Sequence, residues 1–178
     1  KRGRLGGPVS AFRADYRLDV PAIDQGVFAD PGNTTDPVVV RQRVEASAGE
    51  VFAALTRDRE VADWLGVPTT IDLEIGGRFE LLFDPDEEPG LQGSEGCQVL
   101  AFAPDRMLAF TWNSPPTLLD LRGSLTFVVI HLTDMGGRTE VELIHSGHGT
   151  GERWDENRRY FRRAWGLVLE ALAARFAG

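Results

Sequence analysis

The chain has 178 residues, with 19 basic against 27 acidic side chains, a net charge of −8 and a sequence pI near 4.9. A domain of this length buries a substantial core, and its acidic balance argues against a non-specific nucleic-acid binder, which needs a basic face. No segment approaches the roughly 18 apolar residues of a membrane span, and no signal peptide is visible. Because Cys97 is the only cysteine, no intramolecular disulfide forms, and we expect a cytoplasmic protein without membrane contact.

The N-terminal part of the chain differs in pattern from the remainder. Residues 12–20 alternate apolar and charged side chains, which predicts a half-buried strand. The turn-forming residues at 29–37 predict a linker. We interpret residues 1–37 as an N-terminal extension whose strand lies on the edge of the domain; donation of that strand to a partner is the alternative. The domain itself is predicted to span 38–178.

Residues 38–44 predict the first strand of the domain, and two short helices are expected to come after it. Ser47 and Glu50 have the spacing of a capping box, in which each side chain satisfies a free backbone donor of the other residue. Asp58 is expected to cap the second helix, and Gly66 is expected to end it.

Alternating apolar residues then predict six more antiparallel strands. Ile71, Leu73 and Ile75 are expected to form the inner face of the first, and Gly76 and Gly77 to form a two-residue hairpin turn into the next. The acidic loop after these two strands lacks the spacing of a calcium site. The remaining strands are predicted at 96–102, 107–112, 125–132 and 139–145.

The last segment, 151–176, predicts a long amphipathic helix, because its apolar residues recur three, four or seven positions apart: Trp154, Phe161, Trp165, Val168, Leu172 and Phe176. Such a helix needs a broad apolar surface to lie against. The order of elements predicts an α+β fold, with a curved antiparallel sheet of about seven strands around this helix. The space between sheet and helix is expected to be a ligand site.

Several segments, taken in order, resemble the SRPBCC (START-like) superfamily. Within it they are most similar to the family that resembles the C-terminal domain of the heat-shock chaperone ATPase activator. These segments are 44–56, 64–65, 75–79, 98–112, 139–148 and 164–172. The resemblance covers residues 38–177 and implies a helix-grip fold with a hydrophobic cavity. Ala164 stands where the family usually has glycine, and residues 1–37 lie outside the family pattern. The fold hosts carriers, cyclases, receptors and chaperone regulators, so it does not determine the function.

In a helix-grip fold the aromatic core and the cavity wall share one face. The residues expected to line the cavity are Trp64, Phe79, Leu81, Cys97, Val99, Phe110, Trp112, Phe127, His145, Phe161, Trp165 and Val168. Aromatic walls with few polar groups suit a small apolar or aromatic ligand. Arg158, at the edge of the helix stripe, is expected to reach a ligand carboxylate at the cavity mouth.

Two motifs are candidates for chemistry. His145 and His148 form a His-x-x-His pair, but at the end of a strand their rings are expected to face opposite sides, so we predict no metal site and no cofactor. His145 is expected to point into the cavity, and His131 to share an inner face with Phe127. Cys97 is interpreted as a small core residue, because no base that would activate its thiol is evident.

Three functions are compatible with the sequence. The leading hypothesis is binding of a small hydrophobic or aromatic molecule by a monomer or homodimer. The second is a chaperone co-regulator that stimulates a heat-shock chaperone ATPase. The third is a cyclase-like or dehydratase-like enzyme that uses His145 as general acid and base. The residue pattern leaves catalysis open and favours a binding protein.

Overall fold

The computed structural model describes residues 36–177. Its elements come in the order β1 (Val38–Val44), α1 (Ala48–Thr56), α2 (Asp58–Leu65), β2 (Thr69–Ile71), β3 (Phe79–Leu81), β4 (Val99–Ala103), β5 (Met107–Trp112), a 3-10 turn (Pro116–Leu118), α3 (Leu119–Arg122), β6 (Thr126–Asp134), β7 (Thr139–Ser146) and α4 (Glu152–Arg175). The strand predicted at 12–20 lies outside the described residues, as does the linker predicted at 29–37 except for its last two residues, and the boundary at 38 stays a prediction.

The strands form a five-stranded antiparallel sheet in the order β1-β7-β6-β5-β4 and a two-stranded sheet of β2 and β3. The Arg78–Gln98 bridge joins the small sheet to β4, and the Phe79 N–H donates to the Cys97 carbonyl oxygen at 2.8 Å beside it. The expected α+β fold is confirmed: an antiparallel sheet lies against a long C-terminal helix, with two short helices after the first strand.

Helix α4 is held to the sheet by a buried stripe: Asn157, Phe161, Trp165, Leu169 and Leu172. Leu169 and Leu172 have no exposed surface, and full burial of a leucine stabilises a fold by roughly 1.5–3 kcal/mol. The predicted stripe omitted Leu169, although this apolar residue lies four positions after Trp165, and it omitted Asn157, because only apolar residues were counted. No helix within 36–177 has the length and apolar character needed to cross a bilayer.

The start of α1 agrees with the capping-box prediction, and the start of α2 does not. The Ser47 backbone N–H donates to the Glu50 carboxylate at 3.0 Å, and the Glu50 N–H donates to the Ser47 hydroxyl. Asp58 is already the first residue of α2, and the residue before it makes no side-chain cap bond. The predicted Asp58 cap is therefore wrong, whereas Gly66 ends the helix in the left-handed region as expected.

The predicted two-residue hairpin at Gly76 and Gly77 is also wrong. Strand β2 ends at Ile71 and pairs with Phe79, so the whole segment 72–78 connects the two strands. Ile75, expected on the inner face, is 80% exposed. The two glycines pair with β4 instead: the Gly76 N–H donates to the Val99 carbonyl oxygen at 2.8 Å, and the Val99 N–H donates to that of Gly77 at 2.8 Å.

The inner face of β6 is formed by Thr126, Val128, Ile130 and Leu132, all of which are buried. Phe127 is 40% exposed and His131 is also exposed, so both lie on the outer face. The prediction that they share one face was right, but that face is not the one toward α4. The strand is apolar on both faces, so alternation alone did not reveal which side is inward.

Gly77 provides a test of the β2–β3 connection. A Cβ atom at this position would lie 2.1 Å from the carbonyl oxygen of Asp72. We expect Gly77→Ala to lower the free energy of unfolding by about 1–3 kcal/mol because the backbone must shift to relieve this contact. Gly166→Ala, in open space on α4, is the control and should raise stability by up to about 1 kcal/mol. Urea unfolding curves measure both; equal effects would contradict the close approach.

Candidate functional site

The space between the sheet and α4 is filled by side chains. The void that remains there has a volume of about 30 Å³, room for about one or two water molecules rather than a ligand. Phe79 and Phe110 stack at 4.0 Å between ring centroids, and Trp112 and Trp165 approach to 5.0 Å, so aromatic rings close this interior. Six of the expected cavity residues border the void: Trp64, Phe79, Leu81, Phe110, Trp165 and Val168.

A much larger space, a groove of about 460 Å³, opens beside the interior. We call it the aromatic groove. The residues that line it are Phe83, Asp84, Leu91, Gln92, Gly93, Trp112, Asn113, Pro115, Pro116, Thr117, Tyr160, Phe161, Ala164, Trp165, Leu167 and Val168. They come from three parts of the fold: the loop after β3, the end of β5 with the segment after it, and the middle of α4.

The aromatic groove contains only some of the residues that the sequence predicted for the ligand site. Trp112, Phe161, Trp165 and Val168 line it. Cys97, Val99 and His145 are fully buried and belong neither to this groove nor to the interior void. The expectation that Phe127 lines the site is wrong, since Phe127 lies on the outer face of the sheet.

Glu95 organises the loop wall of the aromatic groove. Its carboxylate accepts hydrogen bonds from the backbone N–H groups of Gly90 at 2.5 Å, Gln92 at 2.8 Å and Gly93 at 3.3 Å. Burial alone would raise the pKa of the Glu95 carboxyl, but these backbone donors and the nearby Arg122 hold the pKa below its ordinary value. The carboxylate therefore stays charged and keeps the loop folded around it.

Arg122, on α3, ties this loop to the segment after β5. Its Nε donates to the Gly90 carbonyl oxygen at 2.6 Å, its Nη1 to that of Ser114 at 2.5 Å, and its Nη2 to that of Gly93 at 2.6 Å. The side chain is only 10% exposed and also contacts Glu95 at 3.5 Å. The planar guanidinium suits this role, because its donors diverge in fixed directions. We call this set of bonds the Arg122 clamp.

His145 lies at the centre of a buried hydrogen-bonded chain that joins α4 to the sheet. The Trp165 indole Nε1–H donates to His145 Nδ1 at 3.0 Å, so Nδ1 carries no proton. The other ring nitrogen, Nε2, lies 2.7 Å from the Thr126 hydroxyl, which in turn donates to the Trp112 carbonyl oxygen at 2.9 Å. This pattern assigns the neutral imidazole with its proton on Nε2.

The same chain rules His145 out of the role of general acid and base proposed from the sequence. Burial, with a smaller contribution from His148, lowers the pKa of His145 to about 2. Both ring nitrogens are already bonded to protein groups, and the residue is 0% exposed. The arrangement supports a structural role for His145.

His145 and His148 lie closer together than predicted. Their ring centroids are 4.4 Å apart, so the expectation that the rings face opposite sides is wrong. Strand β7 ends at Ser146, and Gly147, with φ of 87°, turns the chain so that His148 returns to the same side. Within 36–177, however, no group of three or more His, Cys, Asp or Glu side chains is arranged to hold a metal ion.

Cys97 and Arg158 occupy structural positions. Burial raises the pKa of the Cys97 thiol to about 11, so the thiol is a poor nucleophile at neutral pH. Arg158 donates to the Gly149 carbonyl oxygen at 3.0 Å and pairs with Asp155. It does not line the aromatic groove, and its contact with a ligand carboxylate stays a prediction.

Sequence reasoning missed the residues that build the groove wall. Glu95, Asn113 and Arg122 act through backbone carbonyl and N–H groups, which leave no side-chain spacing to detect. One signal was available, since Arg122 is the only lysine or arginine between Arg106 and Arg138. An isolated cation in an apolar stretch indicates a charge with a dedicated partner.

The neutral buried histidines predict sensitivity to mild acid. The pKa of His145 is lowered to about 2, and burial, followed by Arg158, lowers that of His148 to about 4. The unfolded chain binds these protons near pH 6.5, so the stabilisation is complete above that pH and is lost as pH falls toward the folded values. We expect the free energy of unfolding to fall by about 1.4 kcal/mol per pH unit for each histidine.

Urea unfolding between about pH 6.5 and pH 5, above the range where carboxyls titrate, measures this slope. His145→Gln should reduce the slope by about half, while His131→Gln, on the outer face, controls for the loss of one histidine. An unchanged slope in His145→Gln would show that this ring does not remain neutral in the folded protein.

Arg122 generates a second prediction. The three N–H donors of lysine lie on one nitrogen and cannot replace donors on the three separate guanidinium nitrogens, so Arg122→Lys should cost about 1–3 kcal/mol of stability. Amide hydrogen exchange should also speed up at Gly90, Gln92 and Gly93, which donate to Glu95. Arg153→Lys is the control, because the Arg153 ion pairs are half exposed. Equal exchange rates in the two variants would refute the Arg122 clamp.

The fold has solved relatives. A protein from Mesorhizobium loti is 21% identical with a TM-score of 0.59, over 78% of this chain and 94% of the other. CalU16 from Micromonospora echinospora is 24% identical with a TM-score of 0.60, over 79% and 73%. An HSP90 activator from Plasmodium falciparum is 15% identical with a TM-score of 0.54, over 75% and 89%. At these identities the likeness shows the fold alone.

The family model described as Activator of Hsp90 ATPase homolog 1-like protein matches residues 45–177. No curated protein matches the sequence closely enough to add a functional relative. The match covers every element of the described fold from the α1 capping box to the end of α4. The chain therefore belongs to the Activator of Hsp90 ATPase homolog 1-like family, within the SRPBCC (START-like) superfamily.

Proposed function

We propose that this protein is a cytoplasmic binding protein for a small, mostly apolar or aromatic molecule, and that the aromatic groove is its binding site. The observation that carries the proposal is the groove of about 460 Å³ between the loop after β3 and the middle of α4. Ligand sites in proteins commonly have volumes of about 300–1,000 Å³. The interior void of about 30 Å³ is too small for this purpose.

The chemistry of the groove surface supports an apolar ligand. Phe83 and Tyr160 are each 47% exposed and Leu167 is 58% exposed, so large apolar side chains that face the groove remain in contact with water. A ligand that covers them gains the free energy of removing this surface from water. Their rings also provide faces and edges for contact with a flat aromatic ligand.

The groove walls are held in place before any ligand arrives. Arg122 and Glu95 hold the loop after β3, and the Trp165–His145 bond holds α4 against the sheet. A site that is already ordered loses less conformational entropy on binding.

A chaperone co-regulator is the second candidate, and family membership is the observation that favours it. One of the structurally similar proteins is an HSP90 activator. This candidate requires a complex with the ninety-kilodalton heat-shock chaperone and faster ATP hydrolysis by it. A measured rate that does not change with a saturating amount of this protein would eliminate it, whatever the result for small ligands.

Leu167 offers a test of the groove that spares the core. We expect 2-naphthylmethanol at ten times its Kd to stabilise the protein by about 1.4 kcal/mol and to raise Tm by about 3–6 °C. Leu167→Glu should weaken binding about tenfold, because the ligand would then contact a charged side chain in place of an apolar one. Isothermal titration calorimetry and thermal unfolding measure these effects.

Leu100→Glu is the matched control, since Leu100 is 43% exposed on β4 and does not line the groove. It should bind the probe as the unmodified protein does. If a panel of apolar and aromatic compounds gives neither heat of binding nor stabilisation, the proposed function is wrong.

A further inference from the structure

The polar groups of the aromatic groove are mainly hydrogen-bond acceptors. Asn113 lines the groove, and its Nδ2 donates to the Gly93 carbonyl oxygen at 3.2 Å and to that of Glu95 at 3.4 Å. Both amide hydrogens are therefore in use. What Asn113 retains for a ligand is its Oδ1, which is an acceptor.

Gln92 repeats this arrangement on the loop wall. Its Nε2 donates to the Pro85 carbonyl oxygen at 3.1 Å and to that of Glu87 at 2.8 Å, which leaves Oε1 as its remaining acceptor. The Trp165 indole N–H is likewise taken, by His145. The hydroxyl groups of Thr117 and Tyr160 can donate or accept.

The charge at the groove is negative. Asp84, an exposed residue of the loop wall, is the one charged side chain among the groove-lining residues of the described chain. The nearby cation, Arg122, does not offset it for a ligand, because Arg122 already bonds three carbonyl oxygens and contacts Glu95. The protein as a whole carries a net charge of −8, which adds to the negative potential.

The aromatic side chains favour the same sign of charge. Phe83, Trp112 and Tyr160 line the groove together with Asp84. The face of an aromatic ring is negative, and it attracts an ammonium group that lies over it. The hydrogen-bond acceptors, the Asp84 carboxylate and the aromatic ring faces therefore all favour a ligand that carries a positive charge.

Resting on the proposed function, we propose that the aromatic groove selects positively charged ligands: small aromatic or polycyclic molecules that carry a protonated amine, with the ammonium group near Asp84. A carboxylate on the same apolar body is disfavoured, because the groove offers it no cation and few donors among the described residues.

Three probes with one apolar body test this selectivity: 2-naphthylmethylamine, 2-naphthylmethanol and 2-naphthoic acid, which are positive, neutral and negative at neutral pH. Isothermal titration calorimetry of the full chain should give the lowest Kd for the amine and the highest for the acid. We expect the amine to bind up to about fivefold more tightly than the alcohol, as for an exposed ion pair. High salt should reduce this preference.

Asp84→Asn removes the charge and keeps the size of the side chain. The ratio of the alcohol Kd to the amine Kd should fall toward one in this variant. Glu88→Gln is the matched control, because Glu88 is exposed in the same loop but does not line the groove. Its ratio should equal that of the unmodified protein.

The outcomes separate the two proposals. If none of the three probes binds, this inference fails, and the proposed function fails with it when the wider panel of apolar and aromatic compounds also gives no binding. If the probes bind equally well, or if the acid binds best, the groove is a ligand site without cation selectivity and only this inference fails. If Glu88→Gln lowers the ratio as much as Asp84→Asn does, the preference comes from net charge and not from the groove, which also overturns the inference.

Discussion

The hydrogen bond from Trp165 to His145 is the interaction on which the arrangement of this protein depends. It joins the middle of α4 to β7 inside the buried core, where an unpaired indole or imidazole nitrogen would be costly. Thr126 extends the chain of bonds to β5 through the Trp112 carbonyl oxygen. The helix is thereby fixed in both position and rotation, and this places Tyr160, Ala164 and Leu167 along the groove.

The filled interior explains why the groove lies where it does. Aromatic side chains from α4 and the sheets occupy the space that the helix-grip fold can leave open, and the remaining volume is only about 30 Å³. Trp112 and Trp165 take part in both regions: each ring closes the core on one side and forms the groove wall on the other. The apolar space of about 460 Å³ therefore lies beside the filled interior, between the loop after β3 and the middle of α4.

The fold could be predicted well from the sequence, because the periodicity of its apolar residues indicates where the strands and helices lie. The order of elements along the chain, the capping box of Ser47 and Glu50, and most of the α4 stripe depend on residue spacing, which a single sequence displays. The wrong predictions concern positions where the spacing of apolar residues gives no information. Phe127 lies in a strand that is apolar on both faces. Gly77 closely approaches the Asp72 carbonyl oxygen and Gly76 has a φ of 80°, and neither belongs to a two-residue turn.

The candidate site was only partly predictable for a related reason. Trp112 and Trp165 were found, because large rings on an inner face are conspicuous. Glu95, Asn113 and Arg122 were not predicted, because they bond to main-chain groups of other segments. The filling of the interior by side chains was not predicted either, because packing depends on the shapes of side chains from several elements at once.

The Arg122 clamp has a consequence for substitutions in the groove wall. Arg122 donates hydrogen bonds to main-chain carbonyl oxygens of the loop after β3 and of the segment after β5. Every amino acid has a main-chain carbonyl oxygen, whatever its side chain. The bonds of the Arg122 clamp therefore do not depend on the side chains at Phe83, Asp84 and Leu91, which line the groove. Substitutions at these positions change the chemistry of the groove surface, while the main-chain carbonyl groups that Arg122 bonds stay in place.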